Sequence, residues 1–63
     1  MKKTTIEINE CNEGYYVGVI VLDGKNVVSN FESQTYYDKS DAWFYAYNIK
    51  SSYENDGYEV EIL

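Results

Sequence analysis

Residues 4–9 alternate, with Thr4, Ile6 and Ile8 on one side and Thr5, Glu7 and Asn9 on the other, which predicts a half-buried strand. The polar stretch 10–14, ending in Gly14, predicts a connecting turn. Residues 15–22 are rich in β-branched and aromatic side chains and predict the strongest strand of the chain. Asp23-Gly24 follows at once, and residues 25–31 resume a strand pattern. Asp-Gly between two such runs is a hairpin signal, because both central residues of a type I′ turn need positive φ.

A helix opens at Asp38-Lys39-Ser40-Asp41, where Asp38 or Ser40 can cap and Asp41 adds negative charge to the first turn. Ala42, Ala46, Ile49 and Tyr53 then recur at helical spacing and form one stripe. Asn55-Asp56-Gly57 supplies the stop, and Tyr58, Val60 and Ile62 alternate with Glu59 and Glu61 in a last strand. The order is β-β-β-α-β. It predicts one small α+β domain over residues 1–63, a mainly antiparallel four-stranded sheet with one helix on one face.

A turn centred on Asp23-Gly24 fixes the hairpin register. It pairs Leu22 with Lys25, Ile20 with Val27, Gly18 with Ser29 and Tyr16 with Phe31 on one side. Val21 with Asn26, Val19 with Val28, Val17 with Asn30 and Tyr15 with Glu32 fall on the other. Small residues let a helix approach closely, so Ala42 and Ala46 are expected over Gly18 and Ser29. The core is then Ile20, Val27, Tyr16, Phe31, Ile49 and Tyr53, completed by Ile6, Ile8, Val60 and Ile62. This choice leaves Tyr15, Val17, Val19, Val21 and Val28 as an uncovered apolar stripe, an expected interface. The converse assignment, with the helix on the valines, also leaves one hairpin face uncovered. On the helix, Phe44 and Tyr47 lie away from the alanine stripe with Trp43 at its boundary, and such aromatics anchor interfaces.

Composition narrows the chemistry. The chain has 63 residues, eleven carboxylates against five lysines, and a net charge of −6 without arginine. That balance opposes direct binding of nucleic acid or anionic membrane, where affinity comes from displacing counterions with Lys and Arg. Its longest apolar run, residues 17–22, is too short to span a membrane, and no apolar leader precedes the first strand. An intracellular, cytoplasmic setting is therefore expected, in which Cys11 stays reduced.

With no histidine and one cysteine, neither a His/Cys zinc site nor an intrachain disulfide can form. The commonest general base is absent, and Cys11 sits between Glu10 and Glu13, which disfavours its thiolate. Asn55-Asp56-Gly57 lacks the further acidic ligands of a calcium loop. No enzyme, metal or cofactor is expected. A core this small supplies only about 3–5 kcal/mol, so assembly, such as a homodimer, is an expected source of further stability.

What remains is surface. Glu7, Glu59 and Glu61 occupy outward strand positions, Glu32, Asp38 and Asp41 gather toward the helix start, and Glu54 and Asp56 mark its end. Carboxylates spread among tyrosines can occupy a Lys/Arg-lined groove as phosphates do. In size, acidity, tyrosine content and lack of a catalytic motif, the whole chain resembles small phage-encoded counter-defence proteins, anti-CRISPR proteins among them. The likeness is one of type, with no shared motif. It implies occlusion of a host defence nuclease, in the host cytoplasm. Two other expectations compete: a self-assembling module that pairs through the valine stripe, and a single-strand nucleic-acid binder stacking bases on tyrosines, which the charge opposes.

Overall fold

The computed structural model describes all 63 residues. Its elements are β1 (Lys2–Cys11), β2 (Gly14–Asp23), β3 (Asn26–Glu32), α1 (Lys39–Asn55) and β4 (Glu59–Ile62). The strands lie in the order β3-β2-β1-β4. β1–β2 and β2–β3 are antiparallel, whereas β4 runs parallel to β1. The expected α+β class therefore holds, with a mixed sheet: α1 carries the chain from one edge of the sheet to the other, where β4 pairs only with β1.

The helix lies on the face formed by Thr4, Ile6, Val17, Val19 and Val21. These five residues are fully buried, together with Ala42 and Ala46. Register explains the grouping, since Ile6 stands opposite Val19, Ile8 opposite Val17 and Thr4 opposite Val21. Ile8, Phe31, Ile49, Tyr53, Val60 and Ile62 close the margins of this core. Only the hydroxyl of Thr4 interrupts it, and that oxygen has no hydrogen-bond partner.

The assignment of faces on β2 is thus the converse of the expected one. Val17, Val19 and Val21 are core, not an uncovered stripe, and Tyr15 is half-buried. Ile20 and Val27, expected inside, are 42% and 61% exposed, and Tyr16 is half-buried away from the core. Two alanines permit close approach to any flat apolar surface, and three valines offer more area to bury than Gly18 and Ser29.

The hairpin register also differs. Asp23 pairs with Asn26, so Gly24-Lys25 forms the turn. Gly24 has φ 64° and no non-glycine residue has positive φ, which fits a type II′ turn with Gly in the first central place. A type I′ turn centred on Asp23-Gly24 would have forced Asp23 to positive φ. A second irregularity follows, because Val21 pairs with Ser29 but Leu22 with Val27, leaving Val28 as an extra, bulged residue.

At the helix start Asp38 holds the N-cap position in extended conformation, but its side chain makes no capping hydrogen bond. The C-terminus is closed more fully. The N–H of Tyr58 donates to Tyr53 O (2.9 Å) and that of Gly57 to Glu54 O (3.0 Å), the paired bonds of a Schellman motif. Gly57 supplies the required positive φ of 89°. Tyr53 and Tyr58 then meet edge to face at 5.3 Å, packing β4 onto the helix end.

Candidate interaction surfaces

With α1 on the valine side, the opposite face of the sheet has no cover. Strand alternation places Lys3, Thr5, Glu7 and Asn9 of β1 on this open face. They are joined by Tyr16, Gly18, Ile20 and Leu22 of β2, Asn30 and Glu32 of β3, and Glu59 and Glu61 of β4. Glu7 and Glu32 both stand opposite Gly18, one from each side. The missing side chain at Gly18 leaves a shallow depression of about 190 Å³ between them, lined also by Thr5, Asn9, Ile20 and Asn30.

Two strand spacings separate Glu7 from Glu32, about 10 Å, while Glu59 and Glu61 are two residues apart, about 7 Å. That spacing lets each carboxylate meet its own cation. Only Glu61 has one within the chain, Lys3 at 3.4 Å, and both side chains of that pair are exposed. Elsewhere Lys2 and Lys39 lie over the rings of Tyr58 and Tyr15, at 5.4 and 5.9 Å. Glu7, Glu32 and Glu59 are therefore exposed acids without an ionic partner.

The other acids that the sequence singles out are exposed but lie elsewhere. Asp38 and Asp41 flank the start of α1, and Glu54 and Asp56 its end. Glu32, expected to gather with Asp38 and Asp41, instead joins Glu7 on the open face. The sequence could have found this only through the β3 register, which the Val28 bulge hides.

A second surface lies on the far side of the molecule. Phe44 and Tyr47 are 71% and 54% exposed on the outer side of α1, as their helical positions require. Trp43 is half-buried and stacks with Tyr47 at 5.5 Å. Tyr36 folds back toward the helix, its ring 6.0 Å from that of Tyr45, and forms a bridge with Tyr15. Gln34, Tyr36, Asp41, Phe44, Tyr45 and Asn48 line a wide, open depression of about 470 Å³. Burial pushes the Tyr45 phenol above its ordinary pKa, and charge on Tyr36 and Tyr53 adds to the rise.

Cys11 is a half-buried free thiol at the end of β1. No helix is long and apolar enough to cross a membrane. Comparison with known proteins returns no matching family model, no matching curated protein and no matching solved structure, so the surfaces themselves carry the functional argument.

Proposed function

We propose that this protein is a non-catalytic, acidic binding protein that occludes a basic, nucleic-acid-binding site on a partner protein. The open sheet face is the contact surface. The observation that carries the reading is the set of exposed acids Glu7, Glu32 and Glu59, which have no ionic partner, set among apolar and amide side chains on a face that no element covers. Such a face attracts a Lys/Arg-lined groove over long range and offers Ile20 and Tyr16 for contact once docked. The resemblance in type to phage counter-defence proteins suggests a defence nuclease as the partner and the host cytoplasm as the setting.

Asp38 and Asp41 at the helix start are peripheral to this contact. Phe44 and Tyr47 lie on the opposite side of the molecule, so one flat partner surface cannot engage both. Assembly through the valine stripe is not part of the reading, because Val17, Val19 and Val21 are core and only Val28 of that stripe is exposed.

Pull-down from bacterial lysate over a salt series tests the proposal. Nucleic-acid-binding proteins should be retained at low salt and released at high salt. Glu7→Lys/Glu59→Lys should abolish retention, while Asp38→Lys/Asp41→Lys should leave most of it. Retention that ignores salt, or that survives the open-face reversal, would remove the charge argument.

A further inference from the structure

The free edge of β3 is the least protected part of the sheet. α1 contacts β1, β2 and β4 but does not reach β3. Val27 and Val28 stand 61% and 58% exposed there. The backbone pattern says which groups point outward. Ser33 N–H donates to Val17 O and Val17 N–H donates to Ser33 Oγ, both at 2.8 Å, so at this level the strand turns its backbone toward β2. By antiparallel alternation Phe31 and Ser29, opposite Val19 and Val21, do the same, and Asn30 and Glu32 direct N–H and C=O to the open edge. The extra residue at Val28 shifts the phase, so the next outward residue is Val27, opposite Leu22.

Bulges usually shield an edge from pairing. Here the outward groups fall at 27, 30 and 32, a spacing that a regular strand, with outward groups at every second residue, cannot follow across the bulge. A second β3, run antiparallel about a two-fold axis between Val28 and Ser29, can follow it. Val27 then faces Asn30 of the other copy, and Asn30 faces Val27. The same register sets Lys25 of each copy opposite Glu32 of the other. For a chain of net charge −6 this strip is unusual, since residues 24–31 contain no carboxylate and Lys25 has no ionic partner of its own.

We infer that the β3 edge pairs with the β3 edge of a second copy, giving a two-fold dimer with a continuous eight-stranded sheet and reciprocal Lys25–Glu32 ion pairs. This does not rest on the proposed function and touches it only at Glu32, which the dimer pairs with Lys25. It doubles the length of the open acidic face and leaves Glu7, Glu59 and Glu61 uncovered. An edge-to-edge contact is smaller than a standard interface, so the dimer dissociates in the micromolar range.

Sedimentation velocity from about 1 µM to about 1 mM reads the equilibrium directly. The expected result is a shift from the 7.4 kDa monomer to twice that mass. Lys25→Glu turns two attractive contacts into two repulsive ones, and Glu32→Lys does likewise. Each should raise the dissociation constant about 5- to 30-fold. Lys25→Glu/Glu32→Lys should return it to within about threefold of the original. Both residues are exposed, so unchanged urea midpoints at low micromolar concentration check that the variants fold. A strict monomer at about 1 mM overturns the inference, as does a dimer indifferent to the single reversals. A double variant as weak as the single ones overturns the register.

Discussion

Gly14→Ala isolates how the segment after β3 is held against the start of β2. Gly14 has φ 140°, which an L-residue rarely adopts, and a Cβ built there would lie 2.1 Å from the carbonyl oxygen of Tyr36. A Cβ contact below 3.0 Å is essentially never tolerated, so Tyr36 must retreat by nearly 1 Å (3.0 less 2.1). That oxygen accepts the N–H of Tyr15 at 2.8 Å, while the N–H of Tyr36 donates to Tyr15 O at 2.6 Å. Backbone strain at this φ costs about 1–3 kcal/mol, and the two hydrogen bonds contribute about 1 kcal/mol each. The sum, about 3–5 kcal/mol, matches the whole stability that a core of this size provides.

Gly57→Ala is the control, because Gly57 also has positive φ, 89°, but nothing lies within 4 Å of its Cβ position. It should lose only the backbone part, about 1 kcal/mol. Urea unfolding followed by Trp43 fluorescence and far-ultraviolet circular dichroism measures both. Gly14→Ala should lose most of its cooperative transition at 37 °C, whereas Gly57→Ala keeps it at a lower midpoint. Equal destabilisation of the two variants, within about 0.5 kcal/mol, would refute the steric argument and the Tyr15–Tyr36 bridge with it.

Three further outcomes follow from the core and the aromatic groove. Val19→Ala should cost about 2 kcal/mol through lost burial and the cavity left behind, against less than about 1 kcal/mol for Ile20→Ala, with urea midpoints deciding which face is core. Thr4→Val replaces a buried hydroxyl that lacks a partner by a methyl group of similar size, so it should raise the thermal midpoint, by about 1 kcal/mol of stability. The raised phenol pKa of Tyr45 has a definite sign: above pH about 10 the unfolded chain releases this proton while the folded chain keeps it. Stability is therefore full below that pH and declines as pH rises through the folded pKa. Tyr45→Phe should flatten the alkaline limb of a pH-stability profile, and an unchanged limb would remove Tyr45 as its cause.

Local signals in the chain were enough for the elements. Alternation set β1 and β4, the alanine stripe set the buried side of α1, and Gly57 set its end, because each depends on neighbours a few residues apart. The outward positions of Glu7, Glu59 and Glu61 came from the same alternation and hold in the structure. What local signals could not supply was which side of β2 the helix covers, since Tyr16/Gly18/Ile20/Leu22 and Tyr15/Val17/Val19/Val21 are both apolar enough to serve. That choice is made by pairing across strands, where Ile6 lies opposite Val19 and brings its burial to the valine side.

The misplaced turn has a wider consequence. Asp-Gly favours a type I′ turn only when Asp can take positive φ, and a glycine in the first central position of a type II′ turn meets the demand with one residue. The register then moves by two at the turn, where Leu22 meets Val27 instead of Lys25, and by one more at Val28. That odd total puts Asn30 and Glu32 on the open face beyond the bulge and Phe31 on the core face. Glu32 thereby leaves the helix-start acids and stands across Gly18 from Glu7. The same irregularity spaces the outward backbone groups of β3 at 27, 30 and 32, the pattern on which the inferred two-fold pairing rests. One inserted residue thus decides both where the acidic face gathers and how its free edge can pair.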